Sequence, residues 1–314
     1  MHPDTASQKD LCSSCAVPLV RACLKGYNAT VFAYGQTGSG KTHTIVGPSI
    51  QHEISTSSSG ESSFSTSLSS GMIPRAFQDL LFNLSKKKAE LCNDSNDNST
   101  SNTKKKTPPY EYEVRIQFLE IYGEEIRDLL APSSSDTRLT IRDGAAGEEP
   151  EVIGASEVTV NTTKEALLCL QKGTLRRVTA ATQMNSTSSR SHAMMSVTVE
   201  QRTLRKTSFT KKGSSSSNNG ENANNSNNSN KQNDDYDDRE TEEEVKRSRF
   251  HFVDLAGSER QKRTKAEGQR LKEGIDINKG LLVLGNVISA LGDSKKVGRT
   301  HVPYRDPKLT IIRR

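Results

Sequence analysis

The chain has 314 residues, enough for one large domain or two ordinary ones. Hydrophobic residues make up 32% of it, below the about 45–50% of a typical globular chain, so part of the length is not packed core. The formal net charge of +6 favours an acidic partner, whether nucleic acid, an anionic membrane or an acidic protein surface.

The polar start MHPDTASQKD lacks the apolar segment of a secretory signal, and no apolar run approaches the roughly 20 residues of a membrane span. Of the cysteines Cys12, Cys15, Cys23, Cys92 and Cys169, only the first two have a C-x-x-C spacing, and nothing completes a zinc site. Reduced thiols in a cytosolic protein are the expectation.

In chain order, residues 11–26 (LCSSCAVPLVRACLKG) read as an amphipathic helix ended by Gly26. Thr30–Tyr34 (TVFAY) reads as a buried strand. The glycine-rich loop GQTGSGKT follows at once and should open a helix. Residues 49–71 turn serine-rich and read as an insertion. Helical spacing resumes in Met72–Leu84, with Ile73, Phe77, Leu80, Leu81 and Leu84 on one face. A second polar insertion covers about 86–107. Val114, Ile116 and Phe118 then alternate as a strand that turns near Gly123.

Residues 138–160 suggest short strands and turns, and Thr163–Ala181 a helix opened by a threonine cap. His192–Val199 and Phe250–Asp254 read as strands. Residues 203–247, rich in Ser, Asn and Gly and then acidic, read as a disordered insertion, because little there can offset chain entropy. Gly274–Leu291 is predicted as a long helix with Ile277, Leu281, Leu284, Ile288 and Leu291 apolar. Strands alternating with helices point to an α/β domain.

The pattern G-x-x-x-x-G-K-[ST] is met by Gly35, Gly40, Lys41 and Thr42, with a strand before it and a helix expected after it. Gly35, Gln36, Thr37, Gly38, Ser39 and Gly40 offer backbone N–H groups to phosphates at a helix N-terminus. Lys41 should reach the β- and γ-phosphates, and the Thr42 hydroxyl should ligate magnesium. A phosphate loop alone leaves GTPase, ATPase, helicase and nucleotide kinase open.

Three further segments narrow the choice: NSTSSRSH (Asn185–His192), DLAGSE (Asp254–Glu259) and HVPYRDPKLT (His301–Thr310). With the phosphate loop and the stretch INKGLLVLGNVISALGD, their order and spacing resemble the kinesin motor domain, in wording closest to its chromokinesin branch. The resemblance covers nearly the whole chain outside the insertions. It implies an α/β P-loop NTPase of the kinesin type, with a central mostly parallel or mixed sheet and helices on both faces. It also implies a partial motor domain, incomplete at both ends and marginal alone, because no opening strand precedes Leu11 and the chain stops at KLTIIRR.

The resemblance assigns roles where residues coincide. Ser188, Ser189 and Arg190 fall in the first switch loop, with Ser189 near magnesium. Asp254 would hold the metal through water, and Gly257 would offer its N–H to the γ-phosphate. Glu259 would pair with Arg190 when the site closes, and His43 would lie beside the adenine. ATP and Mg²⁺ are the implied ligands.

Residues 260–272 and 295–314 together carry more positive charge than the whole chain's +6, so the rest is net acidic. A solvated face is the ordinary reading of such runs. The resemblance makes Lys262, Arg263, Lys265, Lys295, Lys296, Arg299 and Arg305 candidates for docking on acidic tubulin. Glu273 and Asn278 match positions that would couple switch state to filament affinity. The reading is a microtubule-stimulated ATPase motor domain, cytoplasmic and on the cytoskeleton. It would have no membrane or nucleic-acid partner, and any homodimer would form through regions outside this chain, where a coiled coil is expected. Alternatives are a microtubule binder without competent ATPase and a nucleic-acid-stimulated P-loop enzyme.

Overall fold

A computed structural model describes residues 7–47, 70–93, 109–132, 139–142, 150–183, 189–206, 241–259, 269–292 and 302. The first helix is built in three pieces: α1 (Gln8–Leu11), a π-helical turn (Cys12–Ala16) and α2 (Val17–Leu24). Ser7 and Asp10 cap α1 reciprocally. Cys12, Ala16, Val20 and Cys23 are buried, so one stripe survives the π turn. Strand β1 (Ala29–Ala33) leads to the glycine loop and the short helix α3 (Lys41–Ile45).

Helix α4 spans Met72–Asn93, and its predicted face of Ile73, Phe77, Leu80, Leu81 and Leu84 is buried. Strands β2 (Tyr110–Tyr122) and β3 (Glu125–Asp128) form a hairpin around Gly123. Short strands β4 (Thr140–Arg142), β5 (Glu151–Ile153) and β6 (Val158–Thr159) precede helix α5 (Thr163–Gln183). The Thr162 hydroxyl accepts from Glu165 N–H at 3.2 Å, and Glu165 accepts from Asn161 N–H at 2.7 Å, so the capping threonine is Thr162. Strands β7 (His192–Lys206) and β8 (Thr241–Asp254) and helix α6 (Gln269–Gly292) complete the described elements.

The main sheet runs β1-β8-β7-β2-β3, with β6 also on β2, while β4 and β5 pair separately. It is mixed: β1 is parallel to β8 and the other described pairs are antiparallel. The sheet is thus of the mixed kind expected, and β2–β3 and β7–β8 pair antiparallel because each joins consecutive strands. Side-chain alternation gives each face its own core. Val114, Ile116, Phe118, Met195, Val197, Phe250 and Phe252 pack with α2, α4 and α5. On the other face, Leu119, Ile121, Met194 and Val253 meet Leu281 and Leu284 of α6.

Helix α6 buries only part of its apolar set. Ile288 and Leu291 are exposed at 48% and 51%, and Val287 instead continues the buried seam of Leu281 and Leu284. Leu271–Gly292 is also long and apolar enough, at mean hydropathy 1.2, to cross a bilayer by composition alone. Its seam nevertheless lies on the sheet, which is the place of a packed amphipathic helix.

The insertion boundaries shift as well. Helix α4 continues through Asn93, so residues 86–93 belong to it. Ser70 and Gly71 are buried against the fold rather than part of a solvent loop. Most of the difference is at 203–247, where β7 and β8 stay in register out to Lys206↔Thr241. Composition hid this because the outer pairs are polar: Gln201 pairs with Lys246 and Thr203 with Glu244, and Glu200 holds Arg247 across the strands at 2.6 Å, the kind of pair that stabilises a ladder.

The serine-rich segment also leaves and re-enters at one point. A side chain at Gly71 would run into the backbone of Val46 and Gly47. Backbone cannot move aside as a flexible side-chain end can, so Gly71→Ala should destabilise the fold by about 1–3 kcal/mol. Urea unfolding checks this, and a midpoint equal to that of the parent chain would refute the close approach.

Candidate functional site

The site sits at the end of the parallel pair. Strand β1 places Ala33 opposite Asp254 of β8, and the chain after each strand turns over the same sheet edge. Leu255 N–H donates to Ala33 O at 3.2 Å and Ser258 N–H to Gly35 O at 3.2 Å, so the loop after β8 lies against the glycine loop. Gly40, at φ 88°, caps α3 from the left-handed region that favours glycine. Lys41 follows at the first helical position, with its ammonium on Gly35 O at 2.9 Å and Gln36 O at 3.0 Å. The loop residues Gln36, Thr37, Gly38 and Ser39 are exposed.

The Thr42 hydroxyl donates to Asp254 Oδ2 at 2.7 Å. Glu259 reaches across the loop, accepting from Thr37 N–H at 3.0 Å and from the Thr37 hydroxyl at 2.8 Å. Burial works against the Glu259 charge, but the Thr37 bonds, a bond from its own backbone and the nearby Lys41 outweigh it, so its carboxyl lies below its ordinary value. A side chain at Gly257 would crowd the Glu259 carboxylate and the Thr37 hydroxyl, both of which would have to move aside. Gly257 N–H donates to Ser189 O at 2.8 Å, joining the serine loop to the DLAGSE segment.

Lys41, Thr42, Ser189, Gly257, Asp254 and Glu259 are thus brought together through hydrogen bonds. Arg190 is not on Glu259: its guanidinium bonds Glu273 of α6 at 2.8 Å, while Glu259 is occupied by Thr37. Asn278 of α6 donates to Glu259 O at 3.3 Å, so α6 touches both segments. His43 is held by Gln8, whose amide lies 3.0 Å from Nδ1 and donates to His43 O at 2.8 Å. Ser188, Lys262, Arg263, Lys265, Lys295, Lys296, Arg299 and Arg305 lie outside the described residues.

Two residues beneath the site were missed in the sequence. Arg177 of α5 donates to Asp254 Oδ2 at 2.7 Å and to Ser191 O at 2.9 Å. Glu120 of β2, 1% exposed, accepts from the Ser191 hydroxyl at 2.6 Å and lies 3.8 Å from Arg177 Nε. The signal was present. Arg177 continues the apolar helical stripe of Leu167, Leu170 and Thr174, and Glu120 interrupts the apolar run FLEIY.

A magnesium ion and its phosphates fit what is present. Asp254 Oδ1 is buried with no hydrogen-bond partner, and a hydroxyl and a carboxylate are the hard oxygen donors Mg²⁺ prefers. Among the described residues no cluster of three His, Cys, Asp or Glu forms a metal cage.

This geometry defines a P-loop nucleotide-binding domain, with two loops converging on the phosphate loop. The kinesin motor domain family matches residues 1–314, and the chain belongs to that family. It is 40% identical over 308 residues to the chromosome-associated kinesin KIF4A of Homo sapiens, covering 98% of this chain and 19% of that protein. It is 38% identical over 322 residues to the kinesin-like protein KIN-4A of Arabidopsis thaliana, covering 96% and 26%. The chain therefore spans about a fifth to a quarter of these relatives. A solved fast kinesin superposes with a TM-score of 0.66 at 32% identity, covering 98% of this chain and 66% of that one. A KIF14 dimer with AMP-PNP in complex with a microtubule gives 0.68 at 31%, covering 99% and 68%.

His192, buried between these loops, accepts from Ala256 N–H at 3.0 Å through Nδ1. Burial, and then the Arg177 charge, push its pKa from the ordinary 6.5 down to about 4. The folded chain keeps His192 neutral where the unfolded chain protonates it, so stability falls as pH drops from 6.5 toward 4. Melting temperatures at pH 7 and pH 5 should show a smaller loss for His192→Asn, whose side-chain oxygen can still accept from Ala256. Equal losses would remove His192 as the source.

Proposed function

We propose that this chain is a microtubule-stimulated ATPase motor domain that binds ATP with magnesium. The observation that carries the reading is the hydrogen-bonded meeting of the phosphate loop with Ser189, Asp254, Gly257 and Glu259. Magnesium, when bound, neutralises charge on the phosphates and draws their oxygens into one geometry. Thr42, Ser189 and, through water, Asp254 are the residues that would hold it.

The chain's own groups do the remaining work by position and charge. Gly35 to Gly40 present N–H groups, and Lys41 leaves its loop carbonyls for the phosphates. Ser188 and Ser189 close over the terminal phosphate, and Gly257 turns its N–H from Ser189 to that phosphate. His43 stands beside the base. Glu259 leaves Thr37 and Arg190 leaves Glu273, and the two pair over the attacking water. Because Arg190 and Asn278 both engage α6 or are part of it, loss of the terminal phosphate is felt along that helix.

The cationic flanks of α6 supply the filament surface, with Lys262, Arg263, Lys265, Lys295, Lys296, Arg299 and Arg305 facing acidic tubulin. The site of action is the cytoplasmic microtubule cytoskeleton, and pairing into a homodimer would use sequence beyond this chain.

Phosphate release with and without microtubules tests the reading. Lys41→Ala should abolish nucleotide binding. Glu259→Ala should keep binding and lower turnover by about 100-fold or more; turnover at the parent rate would remove Glu259 from the mechanism. Replacing Lys262, Arg263 and Lys265 by Glu should raise the microtubule concentration for half-maximal turnover, most visibly at low salt. Stimulation by DNA or RNA in place of microtubules would overturn the reading. So would microtubule binding with no turnover, which would mark a binder without ATPase activity.

A further inference from the structure

We infer that Gln8, in the first turn of α1, is a positioning residue for the nucleotide base. It holds the His43 ring in one orientation and one tautomer, as a plate on which the base stacks. This rests on the nucleotide reading above. The support is rigid. Cys12 N–H donates to Gln8 O, and Cys12 begins the buried stripe of Cys12, Ala16, Val20 and Cys23, so Gln8 stands one turn ahead of residues locked in the core. Ser7 and Asp10 cap the same turn. Thr42 and His43 are consecutive in α3 and so point about 100° apart around its axis. Thr42 turns to Asp254, and His43 turns to α1.

One amide nitrogen makes both contacts, at 2.8 Å to His43 O and 3.0 Å to Nδ1. An amide NH₂ only donates, so Nδ1 accepts, and the neutral imidazole carries its proton on Nε2. The turned-over amide is excluded, because its oxygen would then face the His43 carbonyl oxygen, acceptor against acceptor. Gln8 Oε1 is buried without a hydrogen-bond partner among the described residues. A buried oxygen left unpaired destabilises, and what offsets it is the double hold on His43. A glutamate would reverse the hold, since a carboxylate only accepts and would draw the ring proton to Nδ1.

The ring is pinned at one edge only. His43 is exposed, so its faces are open beside the phosphate loop. An exposed side chain that must stop turning when a ligand arrives loses rotamer freedom, and holding it beforehand removes that loss from binding. The flat base is the part of a nucleotide that gains from a flat, fixed ring. Phosphates do not, because their donors lie in the loop from Gly35 to Thr42. Gln8 therefore acts on base affinity alone, and it acts through His43 rather than by touching the ligand.

The test is displacement of a fluorescent nucleotide from the full chain. Gln8→Met keeps the length and removes both hydrogen bonds. It should weaken ATP by about 3–10-fold and leave inorganic tripolyphosphate, which has no base, unchanged. In a His43→Phe background the same change should have no further effect. Nitrogen-15 ring signals of His43, identified by their loss in His43→Phe, should report the Nε2–H tautomer in the parent chain and the Nδ1–H tautomer in Gln8→Glu. Parent ATP affinity in a folded Gln8→Met variant would overturn the inference, and so would an equal loss for tripolyphosphate or an Nδ1–H tautomer in the parent. If Gln8→Met does not fold, the parent tautomer decides alone. A parent chain that binds no ATP would overturn the site reading itself, and this inference with it.

Discussion

Asp254 Oδ2 receives two short hydrogen bonds, one from the Thr42 hydroxyl and one from the Arg177 guanidinium. Every part of the site is referred to this carboxylate. Thr42 belongs to the helix that opens at the phosphate loop, Arg177 to a helix on the same side of the sheet, and Asp254 to the strand paired in parallel with β1. Low-dielectric surroundings strengthen such bonds and make their loss expensive. The result is that phosphate loop, sheet and α5 cannot shift independently near the metal position.

Around that fixed point, four contacts are the ones that the proposed closure would exchange. Lys41 rests on loop carbonyls, Glu259 on Thr37, Arg190 on Glu273 and Gly257 on Ser189. Each is a charged or polar group satisfied by a neighbour of the group it would serve. Satisfaction in this arrangement matters physically, because a polar group left unmade in a partly buried cleft carries a desolvation cost. The proposed closure would exchange each of these bonds for another, which is the condition for a switch whose balance a ligand can tip.

Much of this was legible in the sequence, for local reasons. The phosphate loop is contiguous, so its glycines, Lys41 and Thr42 declare themselves by spacing, and the β-branched run before it declares a strand. The face of α4 was legible because five apolar side chains recur at helical spacing. What failed depends on pairing across long separations. The outer half of the β7–β8 ladder is polar and low in complexity, so composition argued against structure that cross-strand charge pairs support. Glu120 and Asp254 become neighbours only through the register Glu120↔Ala193↔Asp254, and α5 brings Arg177 to both. Ile288 and Leu291 are apolar residues of α6 yet stay exposed, because apolarity says a residue can be buried, whereas packing decides whether it is.

The contact between Gly71 and the Val46–Gly47 backbone gives the serine-rich segment a common doorway, and Lys206 opposite Thr241 does the same for the asparagine-rich one. A tether anchored at both ends to neighbouring points transmits almost no lever arm to its base, and the entropy of closing it grows only with the logarithm of its length. Such doorways let a lineage lengthen or rewrite the excursion almost without penalty, while the frame of the nucleotide site keeps its dimensions.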